Sequence, residues 1–330
     1  MRLASLNNGR DGTLIIVDKK LENATRVPDI AGSLLLALES WSETELKLKA
    51  EFDTLAAGKA TGVFKVTIRE LAAAMPRAPQ FVDGSAYLAH VERVRKARSA
   101  EMPPSFLTDP LMYQAASDAF LAPSAPIQAA SEDYGIDFES EVGVVVDDVP
   151  MGVTPEAAAK HIKLILLIND VSLRSLIPAE LGKGFGFLQS KPRSALSPIA
   201  VTPDELGDAW KDGKVHLPLI THLNDKLFGE PNAGADMQFN FPQLIAHAAK
   251  TRPLAAGTIV GSGTVANQDE SRGSSCLAEK RVLEIIKDGK PTTPFMKFGD
   301  RVRIEMCDAD GMSVFGAIDQ VVEKYQPQIG

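Results

Sequence analysis

Apolar positions along this 330-residue chain recur at two spacings, and the switch between them outlines its organisation. Leu14 to Val17 follow a cluster of Asn, Gly and Asp residues, the pattern of a strand after a turn. Between Ala31 and Ala57, Leu34, Leu35, Ala37, Leu38, Trp41, Leu46 and Leu48 fall mostly at helical intervals and predict a helix. Residues 63–68 (VFKVTI) predict a short strand. Pro76 and Pro79 then punctuate residues 72–84 and predict a connection. This sets a small β unit with one helix, residues 1–75, apart from a second unit, residues 76–330. A helix is predicted from Ser85 to Arg98, and a loop over 102–110.

Downstream, the helical spacing gives way to short apolar runs. Residues 137–146, 163–170, 197–206, 215–230, 257–267, 281–289, 300–306 and 316–322 read as strands separated by Gly, Pro and Asp. Pro155–His161 predicts a short helix, and 242–251 is the one clear helix of this half. The class is therefore mainly β (α+β), a folded sheet or barrel carrying few helices.

Composition narrows the function classes. With 45% hydrophobic and 24% charged residues, the chain is an ordinary globular protein, neither disordered nor a disulfide scaffold. A net charge of −8 with no long basic run argues against nucleic acid as partner. Cys276 and Cys307 are too few for a disulfide framework and point to a reducing compartment. The most apolar internal run, Ile162 to Ile168, contains Lys163 and falls far short of the about 20 residues of a membrane span. No membrane partner and a cytoplasmic location are expected.

The acids are not spread evenly. In a strand, Asp137, Glu139 and Glu141 share one face, where three carboxylates repel unless water, basic partners or a divalent cation compensates. The strand runs on into the apolar Val142–Val146, and the strand over 163–170 also ends in an acid, Asp170. Hard oxygen donors suit Mg²⁺, Mn²⁺ or Ca²⁺. Zinc is a poor fit, since no CxxC or HExxH occurs and the five histidines are scattered. Arg174 and Lys191 follow as basic residues. The glycine-rich 181–187 (LGKGFGF) lacks the strand–turn–helix context and the Gly-Lys-Ser/Thr ending of a phosphate loop.

Taken in order, residues 82–92 (VDGSAYLAHVE), 137–146 (DFESEVGVVV), 168–174 (INDVSLR), 189–192 (QSKP) and 261–267 (GSGTVAN) resemble the fumarylacetoacetate hydrolase family, in particular its long bacterial members. The resemblance covers Asp83 to Val322, and the first 70 residues are similar to the small N-terminal domain of those members. It implies a small SH3-like N-terminal domain and a mixed β-roll or barrel-like catalytic domain. It also implies one divalent metal, Mg²⁺ or Ca²⁺ with Mn²⁺ as an alternative, on Asp83, Glu139, Glu141 and Asp170. His90, seven residues after Asp83 as in the family, would be the general base, and Glu279 would orient it. Lys191 and Arg174 would flank the metal, and Tyr113, Arg174, Gln189 and Thr264 would contact substrate. Two family contacts are replaced: Ile177 stands where eukaryotic members carry Gln, and Ser85 where they carry Tyr.

The activity so implied is hydrolysis of a carbon–carbon bond in a 1,3-diketo acid, foremost fumarylacetoacetate to fumarate and acetoacetate in aromatic amino-acid breakdown, by a homodimer. The alternatives are an acylpyruvate or fumarylpyruvate hydrolase, or a hydratase, decarboxylase or tautomerase of a small keto acid. A Ca²⁺-stabilised, non-catalytic binding protein would explain the acids but gives His90 and Lys191 no task.

Overall fold

The computed structural model describes residues 1–96 and 103–327, and for residues 94 and 95 the backbone alone. Its framework is an eleven-stranded sheet. In spatial order its main path runs Phe64–Lys65, Asn23–Arg26, Thr13–Val17, Arg2–Leu6, Ile199–Val201, Ile162–Asn169, Ser140–Val146, Ile259–Gly261, Phe81–Gly84 and Met112–Ala115. The pairings along this path are antiparallel except that of Ile259–Gly261 with Phe81–Gly84. The sheet is open, ending on Phe64–Lys65 and Met112–Ala115, so the expected class holds without a closed barrel.

Both faces of this sheet are covered, which explains its near-continuous apolar strands. Val142, Val144, Val146, Ile165 and Leu167 pack on one side with Val302, Ile304 and Ile318 of a second, five-stranded sheet and with the helix Phe241–Ala248. Val145, Leu164, Leu166 and Ile168 point to the other side, where Leu34, Leu38, Trp41, Leu48 and Phe52 close a separate core. Those last residues belong to two helices, Leu34–Glu39 and Trp41–Ala56, instead of the single predicted one; Ser40 (φ −126°, ψ 37°) leaves the helical region between them. The N-terminal strands extend the common sheet, because Arg2–Leu6 pairs with Ile199–Val201.

Strand predictions change at three places, one being residues 203–206, which lie in the 3₁₀ helix Pro203–Ala209. Residues 281–288 lie in the helix Leu277–Asp288, capped at its start by Cys276 Sγ and ended by Gly289 in the left-handed region. The run 137–146 is broken: Ile136–Asp137 pairs with Ser172–Leu173, and the long strand starts only at Ser140. Helix Leu88–Lys96 occupies the predicted 85–98; Arg98 and Met102 lie outside the described residues. Among the described residues no helix is long and apolar enough to cross a membrane.

Candidate active site

The site grows out of the sheet's own alternation. Phe81, Val145 and Ile168 face the helix-covered core, and counting by twos toward one end of the sheet leads to Asp83, Glu141 and Asp170. Apolar residues thus give way to carboxylates at the same edge of neighbouring strands. One ligand oxygen from each of these three lies within 4.8 Å of the others, and all three residues are buried. Gly261 sits opposite Asp83 across the parallel pair, where any Cβ would fall 2.2 Å from Asp83 Oδ1. A glycine is therefore required for the carboxylate to lie there. The Gly263 N–H donates to the same oxygen at 3.2 Å.

Asp170 is held most firmly. It accepts from Ser194 Oγ at 2.6 Å, and from Tyr113 Oη and Lys191 Nζ at 2.5 Å each. Glu141 is the opposite case, since among the described residues neither carboxylate oxygen has a hydrogen-bond partner although both are buried. Burial first, then the charges of Asp83, Asp170 and Glu139, pushes the Glu141 carboxyl well above the usual range. Burial and Asp170 push Asp83 up to about 8. An orphaned, buried carboxylate inside a group of hard oxygen donors is what a divalent cation would satisfy.

Glu139 lies beside this trio but is already occupied. Lys191 Nζ donates to its Oε2 and Arg174 Nη2 to its Oε1, both at 2.6 Å. Burial opposes its ionisation, yet Arg174 and Lys191 outweigh that and hold its carboxyl far below the usual range. Burial would likewise lower Lys191, but Asp170 and Glu139 keep it a firm cation. The same-face expectation fails for Asp137. The strand break turns it away from the trio to accept from Arg174 Nε at 2.8 Å and from the backbone N–H groups of Leu277 and Ala278 at 2.8 and 2.9 Å. It thereby caps the helix that carries Glu279.

His90 lies near the start of helix Leu88–Lys96, and its Nδ1 stands 3.9 Å from Glu279 Oε1. Glu279 is fully buried and accepts from Arg93 Nη1 at 2.6 Å. Burial acts to raise its carboxyl, but His90 and Arg93 together hold it below the ordinary value. Across the site, six buried carboxyls (Asp83, Asp137, Glu139, Glu141, Asp170 and Glu279) face Arg93, Lys191 and the largely buried Arg174. That excess of negative charge leaves room for a cation.

These groups open on a cavity of about 260 Å³ lined by Asp83, His90, Tyr113, Glu139, Glu141, Arg174, Lys191 and Thr264. Ser85 and Ile177 also line it, together with the apolar Leu111, Met112 and Phe187. Gln189 does not: its side chain is exposed, because Glu180 fixes the turn by accepting from the N–H groups of Leu188, Gln189 and Ser190. Sequence reasoning missed Arg93, which looks like one more solvated helix charge. It also missed Phe187, whose ring meets Tyr113 edge-on at 4.8 Å and which lay within the discarded glycine-rich segment.

The family model described as fumarylacetoacetate (FAA) hydrolase C-terminal matches residues 80–323, and that described as fumarylacetoacetase N-terminal domain 2 matches residues 1–77. The 2,4-didehydro-3-deoxy-L-rhamnonate hydrolase of Sphingomonas sp. is 28% identical over 160 residues, covering 48% of this chain and 53% of that protein. Human mitochondrial oxaloacetate tautomerase FAHD1 is 25% identical over 177 residues, 53% of this chain and 75% of that protein. The chain thus spans about half of the first relative's length. Fumarylacetoacetate hydrolase from psychrophilic Exiguobacterium antarcticum shares the fold, with a TM-score of 0.68 at 17% identity over 98% of this chain and 100% of that one. Maleylpyruvate hydrolase from Sphingobium sp. SYK-6, solved with manganese(II) and pyruvate, has a TM-score of 0.67 at 16% identity, covering 99% and 100%. The two family models account for nearly every residue, and the chain belongs to the fumarylacetoacetate hydrolase family of enzymes.

Proposed function

We propose that the protein hydrolyses a carbon–carbon bond of a 1,3-diketo acid, with fumarylacetoacetate as the leading substrate and acylpyruvates such as fumarylpyruvate next. The observation that carries this reading is His90, which lines one cavity together with Asp83, Glu139 and the orphaned Glu141 and has the fully buried Glu279 carboxylate behind its Nδ1. Asp83, Glu141 and Asp170 would hold a divalent cation, with Glu139 as a further oxygen on exchange of a cationic partner. When bound, such a cation supplies Lewis-acid polarisation of the substrate's carbonyl oxygens.

The chain's own residues supply the rest. Glu279 faces His90 Nδ1, which leaves Nε2 to take a proton from water. The resulting hydroxide adds to one carbonyl carbon. The bond between that carbon and its neighbour then breaks, its electron pair passes to the departing fragment, and that fragment recovers a proton to become a ketone. Lys191 and Arg174 line the same cavity and offset negative charge building on oxygen, a contribution of roughly 3 kcal/mol per donor in comparable sites. Leu111, Met112, Ile177 and Phe187 form the wall against which the rest of the acid lies.

A second reading is favoured by the oxaloacetate tautomerases among the relatives. There His90 would move a proton on carbon and no fragment would leave. Product analysis with fumarylacetoacetate separates the two: a metal-dependent fall in ultraviolet absorbance with two organic products supports hydrolysis. A single isomerised acid, or released CO₂, contradicts it.

A further inference from the structure

The proposed chemistry leaves the buried cation beside His90, Arg93, without a task. Arg93 lies three residues after His90 on helix Leu88–Lys96, so both side chains leave neighbouring positions of one helical face. Its Nη1 donates to Glu279 Oε1 at 2.6 Å, while Nη2 donates to the carbonyl oxygens of Asn267 at 2.7 Å and Gln268 at 3.2 Å. The anchor is itself fixed. Asn267 Nδ2 donates to the carbonyls of Asn232 and Ala235, and its Oδ1 accepts from the Asn232 N–H. One guanidinium thus joins the helix of His90, the segment after the Thr264 turn and the helix of Glu279.

Two atoms near this junction lack partners. Among the described residues, Glu279 Oε2 and His90 Nδ1 are both buried without a hydrogen bond. The 3.9 Å from Nδ1 to Oε1 is too long for one, and Arg93 already holds that oxygen. That oxygen is also the one set against Nδ1, and its second lone pair remains to accept from the imidazole once the ring closes on it. Lysine could not do the same, because a single ammonium lacks the planar fork that reaches a carboxylate and two carbonyls together.

We propose that Arg93 is a positioning residue for the His90–Glu279 pair, tying the Glu279 carboxylate to the Asn267–Gln268 backbone so that it stays facing His90 Nδ1. The proposal rests on the reading of His90 as base given above. It assigns to this arginine the tautomer of the histidine, with the proton on Nδ1 and Nε2 open to the cavity.

The test compares Arg93→Gln, Arg93→Lys, Glu279→Gln and the Arg93→Gln/Glu279→Gln double variant with wild type, using fumarylacetoacetate turnover, Mn²⁺ affinity and ¹⁵N NMR of the histidines in the metal-free protein. Arg93→Gln is expected to lower kcat roughly 100-fold, as a misplaced catalytic group does, with KM and Mn²⁺ affinity unchanged. It adds nothing to Glu279→Gln, because both remove one unit. Arg93→Lys gives an intermediate kcat. The His90 signal moves from the Nδ1-protonated tautomer to a mixture in Arg93→Gln. Wild-type kcat in a folded Arg93→Lys or Arg93→Gln, additive losses in the double variant, or a parallel loss of Mn²⁺ affinity overturns the proposal. Should Arg93→Gln not fold, Arg93→Lys alone decides by the same criterion. If Glu279→Gln itself keeps the wild-type rate, the His90–Glu279 reading fails, and the role of Arg93 falls with it.

Discussion

Glu141 is the residue on which the metal reading depends most, since both its oxygens are buried and unpartnered while its neighbours are bonded. Replacing this acid has two opposite expected effects. Glu141→Gln weakens Mn²⁺ binding by more than the roughly 10- to 100-fold typical of an outer-shell partner, as isothermal titration would show. The same change raises the melting temperature of the metal-free protein, because an uncompensated acid has gone from the interior. His90→Ala is expected to keep Mn²⁺ affinity and abolish turnover; unchanged turnover would remove the general-base role. At this scale strand alternation drew attention to Glu139 and Glu141, and the family resemblance added Asp83 and His90; all four line one cavity. The sequence was not legible for Asp137, because strand alternation cannot foresee a break at Phe138 and Glu139 that turns one acid toward Arg174 and a helix N-terminus.

That helix, Leu277–Asp288, is the element most badly served by pattern alone. Val282, Leu283, Ile285 and Ile286 read as a strand run, and Cys276 is not among the usual N-cap residues. The surer signals were the Glu, Lys and Arg content and Gly289 at the stop, a left-handed position that ends helices. Its start is held by Asp137, whose carboxylate joins two helix N–H groups and the Arg174 guanidinium. Asp137→Ala should therefore cost about 3–5 kcal/mol by denaturant unfolding, the loss expected when one member of a buried ion pair is removed. Turnover should fall as well, because Glu279 rides on the same helix. A loss below about 1 kcal/mol, the range of an exposed pair, would refute the capping role. By contrast, the strands Ser140–Val146 and Ile162–Asn169 were plain in the sequence, since burial on both faces leaves an unbroken apolar run.

Across the whole molecule, the site's charge should be visible in stability against pH. Without metal, folded Asp83 keeps its proton up to about pH 8, whereas in the unfolded chain it loses it near 3.8. Glu141 is shifted in the same direction. The folded state therefore binds more protons than the unfolded one across this window, so stability is greatest at its acid end and falls as pH rises toward 8. The slope approaches about 1.4 kcal/mol per pH unit for each proton. Carboxyls held low, such as Glu139 and Glu279, act oppositely, and only below about pH 4.5. Melting curves of metal-free protein between pH 5 and 8 are expected to show the decline, and saturating Mn²⁺ to abolish it, since a bound cation favours the ionised acids. A melting temperature that rises over that range without metal would contradict the buried, repelling cluster.

The most direct test of the proposed activity is to follow fumarylacetoacetate by product chromatography with wild-type protein, first stripped of metal by chelation and then supplied with Mn²⁺. The expected result is two organic fragments in equimolar amounts, formed only with the metal restored. An intact carbon skeleton in the products, or cleavage that proceeds equally well in the stripped protein, would contradict it.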